Sequence, residues 1–595
     1  MNTILTTLNS KFIHSALSIR YLKAFCMDIC DIDILEFTIN QNIDYIAGEI
    51  YKGKPNIIGF STYIWNKEET LRVCEILKLV KPDIKIILGG PEVSFDSVDV
   101  LKKYWFVDFV ITGEGEIPFK ELLIALYNGR CDFSEIMGLT YREGERIVEN
   151  PPGKQIKDLD LIPSPYSKVD EGLEDKIVYY ESSRGCPFNC QFCLSSTIKG
   201  VRYFSLNRVK EDLERLIDSR VRQVKFVDRT FNSNKKYAME IMKFIMDKDP
   251  ENMNFHFEVT AHLLDEDMLE FLEKAKPGLF QFEIGVQSTN ERTIEAIGRT
   301  TDFDKLRKVC KRIKAYKNIH QHLDLIAGLP YEGYESFKRS FNDVYDIRPE
   351  KIQLGFLKLL KGSGLRRDKD KYGFKFLDIP PYEVLETDYI KYDEMLRLKG
   401  IEDLVEKFYN EEYFTNTISY LIKNKYDTAF DFFEDLLMFW ESKGYHKISH
   451  SRNRLYEILW EFCIYRKFED IDVINEVIKY DYLFSNPNSN IPKFITRIER
   501  DLIESNKHKI LKDEVLLKDI LPHYIDMATK KLIKKVHIES FRIDILRLVD
   551  NDYNSFSSVY DRRYILFEYK DRIFNRCSAY DITKYIKGSE LVETD

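Results

Sequence analysis

Two series of short apolar segments, separated by helix-like stretches, run through the first 372 residues, and this alternation limits the fold more than any other feature. In the first series the apolar segments are NTILTTL, DIDILEF, NIIGFST, KIILGG and DFVITGEGE. Short strands that alternate with helices predict a parallel sheet covered by helices on both faces. We therefore expect an α/β protein whose residues 1–135 form a doubly wound domain.

In such a domain the ligand binds beyond the carboxyl ends of the strands, so the loops at those ends are the candidate binding loops. They read NSKFIH, STYIWN, GGPEVS and GEGE. Their candidate ligand-binding glycines are Gly89, Gly90, Gly113 and Gly115. A glycine lets the backbone approach a bulky ligand, but it also serves simply to turn the chain, and the sequence leaves both interpretations open.

The second series, from 176 to 372, has six strand-like segments of a different character. NFHFEVT, LFQFEIGVQ and HQHLDLIAG alternate apolar with polar side chains, whereas parallel strands covered on both faces are apolar on both. The alternation predicts a curved sheet with helices outside and a polar cavity inside. Six strands are fewer than the eight of a closed barrel, so we expect a partial (β/α)6 barrel that is open on one side.

The remaining chain is less informative. Residues 136–175 include PPGKQIKDLDLIPSP, whose prolines and few apolar anchors predict a linker. Residues 373–595 have helical periodicity with few glycines and prolines, which predicts a helix-rich C-terminal domain of unknown function.

Three cysteines, Cys186, Cys190 and Cys193, lie within eight residues directly after the first strand of the second series. Cysteine thiolates bind soft metals and iron–sulfur clusters. Structural zinc sites favour four protein ligands, and no second Cys or His pair follows at finger spacing. Inert thiols or a disulfide would also be compatible with three nearby cysteines. Three ligands fit best a cluster that leaves one iron open to a substrate or cofactor.

The sequence Cys186-x3-Cys190-x-Phe192-Cys193 resembles the signature of the radical SAM superfamily, and the resemblance extends over about residues 176–370. It implies a 4Fe–4S cluster whose fourth iron binds S-adenosylmethionine and whose electron cleaves it to a 5'-deoxyadenosyl radical. It also implies sensitivity to oxygen and an electron donor such as flavodoxin or ferredoxin.

Further site residues follow from positions that match this family. VDRTFN (227–232) lies where the family usually has a Gly-Gly-Glu-like element, so the role of binding the methionine amino group passes to Asp228. Glu258 and Gln287 are candidates for the methionyl and ribose ends, and the backbone at Phe192 and Gly328 for the adenine. Glu258 and Asp324 are also the candidate catalytic side chains. Helix capping or hydrogen bonding within the cavity would explain the same polar side chains without a ligand.

The first domain, with ILGGPEVSF (87–95) and VDFVITGEGE (107–116), resembles the Rossmann-like cobalamin-binding domain of a radical SAM subgroup. Other cobalamin proteins carry a histidine for the lower face of the cobalt in an Asp-x-His-x-x-Gly motif, whereas here the only histidine before residue 256 is His14. Tyr63 and Trp65 are candidates for an apolar floor under the corrin, and core packing would explain both equally well.

The resemblance makes methylation of an unactivated carbon in an unidentified small molecule or peptide the expected reaction. Cyclisation, rearrangement or redox chemistry without net methyl transfer is the alternative, and a sensor that bears a cluster is a third. A net charge of −9 and a pI near 5.8 argue against a nucleic-acid partner. No apolar run approaches ~18 residues, and the N-terminus lacks a signal peptide pattern, so we expect a cytoplasmic protein without a membrane partner.

Overall fold

The structure is a computed structural model that describes residues 1–167, 172–173, 175–198, 200–487, 491–554, 560–570 and 577–587. Residues 168–171 and 174 of the predicted linker therefore lie outside the described residues. The chain divides into two compact units. The first comprises Met1–Phe337 and Leu354–Met395, and the second comprises Lys338–Gln353 and Leu396–Asp595.

The first unit begins with the predicted doubly wound domain. Its strands are β1 Thr3–Asn9, β2 Ile32–Thr38, β3 Ile57–Ser61, β4 Lys85–Gly89, β5 Phe109–Ile111, β6 Leu139–Glu143 and β7 Arg146–Glu149. Its helices are α1 Leu17–Cys26, α2 Ile43–Lys52, α3 Lys67–Val80, α4 Ser97–Lys103 and α5 Glu116–Tyr127.

The sheet has the order β2-β1-β3-β4-β5-β6-β7, in which β1 to β5 are parallel. Strand β1 is buried on both faces because an apolar cluster covers each side of the sheet. The chain passes from β1 to β2 on one side and then returns to β3 on the other. This reversal is a topological switch point, where doubly wound sheets bind their ligands.

Strands β6 and β7 continue this sheet in antiparallel fashion. The linker predicted at 136–175 therefore begins with two strands, and the connection to the next domain starts only after Glu149. The two strands were hidden in the sequence because a short hairpin with a charged turn, LTYREGERIVE (139–149), carries only a few apolar residues.

The second domain of the same unit holds the predicted six-stranded series. Its strands, with two small hairpins, are β8 Ile177–Tyr180, β9 Ser183–Gly185, β10 Val201–Tyr203, β11 Gln223–Phe226, β12 Asn254–Glu258, β13 Phe280–Gln287, β14 His320–Ala327, β15 Lys351–Phe356, β16 Lys375–Phe376 and β17 Val384–Glu386. Its helices are α6 Leu206–Asp218, α7 Lys235–Lys248, α8 Glu266–Leu272, α9 Glu291–Ala296, α10 Phe303–Tyr316, α11 Tyr334–Tyr345 and α12 Gly364–Arg367. The greater part of α11 and the first three residues of β15 belong to the second unit.

Within the described residues the main sheet has six strands in the order β15-β14-β13-β12-β11-β8, as expected for a partial barrel. The pairs from β8 to β14 are parallel. Along β13 the apolar side chains are buried, and Gln281 and Glu283 on the opposite face are partly exposed, which is the predicted alternation. Strand β8 forms one edge of the sheet, and the segment Ile13–Ser15 of the first domain covers its first residue, Ile177.

The second unit is rich in helices, as predicted, and contains α13 Tyr392–Val405 (in its greater part), α14 Thr415–Lys425, α15 Ala429–Ser442, α16 Arg452–Arg466, α17 Ile471–Ser485, α18 Arg500–Ile510, α19 Glu514–Ile520, α20 Thr529–Leu532, α21 Ile545–Asp550 and α22 Thr583–Lys587. The structure adds an antiparallel sheet of β18 Val536–Phe541, β19 Arg563–Tyr569 and β20 Cys577–Asp581, which the sequence pattern did not predict. Among the described helices none is long and apolar enough to cross a membrane.

Candidate active site

The three cysteines lie in the loop that connects β9 to β10, which form an antiparallel hairpin. Gly185 precedes Cys186 with a φ of +105°, and a Cβ atom on it would lie 2.0 Å from the carbonyl oxygen of Gly200. Only glycine fits this position, because the conformation and the close approach of the two strands both exclude a side chain. The hairpin therefore fixes the point at which the cysteine loop begins.

Each sulfur has one polar neighbour at hydrogen-bonding distance. The Sγ of Cys186 lies 3.6 Å from Thr230 Oγ1, and the backbone N–H of Ser195 donates to Cys193 Sγ at 3.4 Å. Arg299 Nη1 donates to Cys190 Sγ at 3.8 Å. Donors to sulfur stabilise thiolates, which are the form that binds iron. The loop thus fits a cluster held by cysteine thiolates, although no group of three His, Cys, Asp or Glu side chains among the described residues is arranged around a single metal ion.

All three cysteines open onto one cavity at the carboxyl ends of the barrel strands. Of the residues predicted from the sequence, Phe192, Glu258, Gln287 and Asp324 line the same cavity. Residues that the sequence pattern did not single out also line it, among them Arg229, Glu283 and Arg299. Glu283 lies on the polar face of β13, so the alternation of that strand could have identified it. The two arginines lie in loops, where no periodicity indicates which side chains face the cavity.

Asp228 does not line this cavity. Its buried carboxylate accepts hydrogen bonds from the backbone N–H of Ser182 at 3.0 Å and from the hydroxyls of Ser182 and Ser183 at 2.6 and 2.5 Å. These contacts anchor the strand that leads into Cys186. A carboxylate already committed to three donors supports the fold, so the structure favours this role over the predicted contact with methionine.

Gly328 also lies apart from the residues that line the cavity. It has a φ of +88°, and a Cβ atom on it would face Met395, Leu357 and Val384, which are apolar. The glycine is therefore explained by its left-handed backbone conformation at the end of β14. The predicted contact of its backbone with adenine gains no support from this position.

Gln287 has an unusual conformation for a residue in a strand. Its φ is +72°, and the pairing of β13 with β14 shifts register between Gly285 and Gln287. The side chain is buried, and its Oε1 has no hydrogen-bond partner among the described residues. A non-glycine residue in a left-handed conformation at a bulge is a strained feature that often marks a functional site. Its unpaired oxygen is a free acceptor in the cavity wall.

Three carboxylates of the cavity differ in protonation. Burial would raise the pKa of Glu283, but His256 Nε2 at 3.1 Å and Lys225 Nζ at 2.9 Å lower this pKa to about 2. Burial raises the pKa of Glu258 to about 7, against the opposing charge of Arg229. Burial, together with the charge of Glu283, raises the pKa of Asp324 well above its usual value.

At neutral pH Glu283 is therefore ionised, and Glu258 changes its charge. The raised pKa of Asp324 favours its protonated form. The Oδ1 atom of Asp324 is buried without a partner in the part of the chain that the structure describes. The cavity thus combines an anion, an acid whose protonated form is favoured and a group that can accept or release a proton.

A second candidate site lies at the carboxyl edge of the first sheet. The rings of Tyr63 and Trp65 stack with centroids 4.5 Å apart and planes 4° from parallel. Trp65 remains 44% exposed, and it donates from Nε1 to the carbonyl oxygen of Leu8 at 3.3 Å. A side chain with this exposure is not a core residue, so packing in the core does not explain Trp65. Other exposed apolar side chains in the loops at this edge are Phe12, Ile13 and Phe95. Exposed apolar groups at a switch point fit a broad ligand such as a corrin ring.

The four candidate glycines of this edge have different roles. A Cβ atom on Gly90 would lie 2.3 Å from Thr62 O, so the packing of two loops is enough to require this glycine. Gly113 has a φ of +75° and open space around it, and Gly89 has no atom closer than 4.0 Å. Gly115 caps α5 and faces Leu22. Gly89 and Gly113 leave room for a ligand, and Gly90 is explained by the fold.

His14 has a partner in the second domain. Its Nδ1 lies 2.8 Å from the hydroxyl of Tyr179, and its backbone forms a bridge with Ile177. This histidine therefore connects the first domain to strand β8. Its contacts explain it without a bound metal.

Three family descriptions match successive parts of the chain: "B12 binding domain" at residues 4–123, "Radical SAM superfamily" at 180–344 and "Protein of unknown function (DUF4080)" at 370–567. The first two cover the two candidate sites. The third covers most of the helix-rich C-terminal part, for which it names no activity.

An uncharacterised methyltransferase of Pyrococcus horikoshii is 29% identical over 328 residues, which are 54% of this chain and 70% of the relative. The 2-(S-pantetheinyl)-carbapenam-3-carboxylate methyltransferase of Streptantibioticus cattleyicolor is 26% identical over 428 residues, 64% of this chain and 61% of the relative. The chain thus spans less than two thirds of the second relative's length.

The solved structure of the cobalamin-dependent S-adenosylmethionine radical enzyme OxsB, with aqua-cobalamin and S-adenosylmethionine bound, matches with a TM-score of 0.56. The match covers 89% of this chain and 83% of that chain at 15% identity, so it shows a shared fold. Radical SAM enzymes need a reductant to reduce their cluster. The matched domains make this chain a radical SAM enzyme of the subgroup with a B12-binding domain, whose cofactors are a 4Fe–4S cluster, S-adenosylmethionine and cobalamin.

Proposed function

We propose that this enzyme methylates an unactivated carbon atom of a small molecule or peptide. The observation that carries the proposal is that one compact unit contains both the thiol-lined cavity and the exposed aromatic edge of the B12-binding domain. When bound, the cluster and S-adenosylmethionine supply a 5'-deoxyadenosyl radical, and cobalamin supplies the methyl group. The two named methyltransferase relatives support the same reaction.

The residues of the cavity hold the reactants and exclude water. Cys186, Cys190 and Cys193 hold the cluster. Glu258 and Gln287 bind the polar ends of S-adenosylmethionine, for which the unpaired Oε1 of Gln287 is a suitable acceptor. Phe192 packs against the adenine. This division follows from the position of each side chain in the cavity wall.

Asp324 is proposed to act on the substrate as a hydrogen-bond donor, because burial raises the pKa of its carboxyl group and so favours the protonated form. A neutral acid orients a polar substrate group near the radical without adding a charge to the cavity. Glu258, whose pKa is about 7, is the group that can take up or release a proton during turnover. Both roles are proposals about the same cavity.

Trp65 and Tyr63 are proposed to form the floor under the corrin. The stacked pair offers a flat apolar surface and no nitrogen ligand that binds cobalt strongly. The single histidine of the first domain, His14, is engaged with Tyr179. Tyr63 and Trp65 would hold the corrin, and cobalamin bound there would supply a methyl group to a carbon radical.

We also propose a flavodoxin or ferredoxin as the electron donor and the cytosol as the place of work. A cluster with an open iron requires a reducing environment. Consistent with this, each of the chain's ten cysteines lies in the described part and is a free thiol.

The first half of the reaction can be tested without the substrate. The protein is purified anaerobically from cells supplied with cobalamin, the corrinoid content per chain is measured, and the reduced protein is given S-adenosylmethionine. We expect about one corrinoid per chain and one equivalent of S-adenosylhomocysteine per corrinoid. A protein with its corrinoid that releases only 5'-deoxyadenosine would instead carry out cyclisation, rearrangement or redox chemistry.

The Cys190→Ala variant is the matched control for the cluster. It should lose cleavage to 5'-deoxyadenosine because one iron ligand is missing. If the reduced wild-type protein, with its cluster intact, does not cleave S-adenosylmethionine at all, the enzyme proposal fails and a sensor function replaces it.

A further inference from the structure

The loop Gly113-Glu114-Gly115-Glu116, after β5, contains two glutamates that the glycine pattern of a cofactor loop does not explain. Glu116 is only 4% exposed and is the first residue of α5. Glu114 is also largely buried. Two buried carboxylates at the edge of a cofactor site need partners, because an unpaired buried charge is strongly destabilising.

Both partners are arginines of the hairpin that carries the cysteine loop. Arg184, on β9 and two residues before Cys186, donates from Nη2 to Glu116 Oε1 at 2.5 Å, and its Nη1 lies 3.8 Å from Glu114 Oε2. Its third contact, from Nε to Glu181 Oε2 at 2.9 Å, lies within its own domain. Arg184 therefore joins the strand before the cysteines to the loop after β5.

The second strand of the hairpin makes an equivalent connection. Arg202, on β10, donates from Nη1 to Glu114 Oε2 at 3.2 Å and from Nη2 to Glu114 Oε1. The same carboxylate accepts a hydrogen bond from the backbone N–H of Ile156 at 3.0 Å. Glu114 thus contacts both arginines, and the two strands of the hairpin are connected to one short loop.

These contacts are shielded from solvent. The side chains of Arg184, Arg202, Glu114 and Glu116 are between 6% and 15% exposed. The guanidinium of Arg184 also lies over the ring of Tyr21 in α1, 5.3 Å from its centroid. Bidentate ion pairs with little solvent fix both distance and orientation, which apolar contacts of similar area do not.

We propose that Glu114 and Glu116 are positioning residues that fix the cysteine hairpin against the cobalamin edge of the first domain, and thereby set the separation of cluster and corrin. The inference rests on the proposed function in one respect, since it takes this edge to be the corrin site. Gly113 leaves space for the corrin, and the two glutamates hold the cysteine loop at a fixed distance from it.

The test uses the holoenzyme and pulsed EPR between the reduced cluster and cob(II)alamin. In the Glu114→Gln/Glu116→Gln double variant the distance distribution should widen at least about twofold, while both cofactors stay bound, because the neutral amides weaken the ion pairs. Glu121→Gln is the matched control, since Glu121 is exposed on the same helix α5 and lacks a salt bridge among the described residues. An unchanged distribution in the double variant would overturn the proposal.

A second measurement separates this proposal from the proposed function. Hydrogen exchange of residues 183–203 should become at least about tenfold faster in the double variant than in Glu121→Gln, with or without corrinoid. If the wild-type protein binds no corrinoid, the cobalamin part of the proposed function fails, and the exchange data alone decide whether the glutamates hold the hairpin. Should the double variant not fold, Glu116→Gln alone carries the same test, because it leaves the contacts of Glu114 intact.

Discussion

The contact of Arg299 with Cys190 predicts that this arginine raises the reduction potential of the cluster. Its guanidinium is held in place by Gly285 O at 2.5 Å and by Thr301 Oγ1 at 2.9 Å, and its Nη1 lies 3.8 Å from Cys190 Sγ. A fixed positive charge beside the cluster stabilises the added electron. Replacing Arg299 by Gln keeps a polar side chain and removes the charge, so the potential should fall.

The size of the effect follows from Coulomb's law. The added electron spreads over the cluster, whose centre lies about 7 Å from the guanidinium if ~3 Å are added to the contact with sulfur. At an effective dielectric constant of about 20 the interaction is roughly 2 kcal/mol, which corresponds to roughly 100 mV for one electron. Arg299 is partly exposed, so solvent screening makes this value an upper bound.

The assay is a redox titration followed by EPR in the absence of S-adenosylmethionine, which excludes changes in cofactor binding. Arg299→Lys keeps the charge, so its reduction potential should fall by less than half as much as that of Arg299→Gln. Arg307→Gln, which removes an exposed arginine paired with Asp304, should leave the potential unchanged. A potential of Arg299→Gln within ~20 mV of the wild-type value, with the cluster intact, would refute the reasoning.

Three further predictions concern other parts of the same unit. Burial raises the pKa of Glu258 to about 7, so between pH ~4.5 and 7 the folded protein keeps a proton that the unfolded chain has lost. The free energy of unfolding therefore includes a contribution from this proton that is complete below pH ~4.5 and disappears as the pH rises to 7. Urea denaturation of the cluster-free protein should therefore show that Glu258→Gln loses roughly 2–3 kcal/mol less over this interval than the wild type, and parallel pH profiles would contradict the assigned pKa. Trp65→Ala should weaken the retention of corrinoid on gel filtration and change its absorption spectrum, and if both stay unchanged Trp65 is not the floor of the site. Asp228→Ala leaves Ser182 N–H without its acceptor and should lower the free energy of unfolding by about 1–3 kcal/mol together with the iron content, whereas wild-type iron content would show that the strand before Cys186 does not need this anchor.

Periodicity in the sequence was enough to predict both sheets and much of the cavity. Strands β1 to β5 of the first domain and the six of the barrel are where the apolar segments indicated, because alternating or continuous apolar runs determine which faces become buried. Glu258, Gln287 and Asp324 were found for the same reason: each follows the polar phase of its strand into the cavity. The three cysteines could be identified from their spacing alone.

Residues outside a periodic element could not be placed from the sequence. Asp228 was assigned from its position in a family motif, but its hydrogen bonds depend on two serines 45 and 46 residues away. Arg299 follows a short helix, and its contact with Cys190 spans 109 residues. Such contacts depend on loop geometry, which leaves no local pattern. The sheet of the C-terminal unit was missed because its three short strands follow a long series of helices, whose periodicity dominates the region.

The bridge between Ile13–Ser15 and Ile177 has a consequence for how the chain can be divided. Strand β8 is an edge strand, and the segment of the first domain occupies backbone groups of its first residue: Ile177 N–H donates to Ile13 O at 2.7 Å, and Ser15 Oγ donates to Ile177 O at 3.0 Å. An uncovered edge is a template for pairing with other chains. A fragment that starts at residue 176 would leave the backbone groups of Ile177 without these partners, so the barrel expressed alone should pair more readily with other chains through β8. The first domain therefore protects the start of this edge strand.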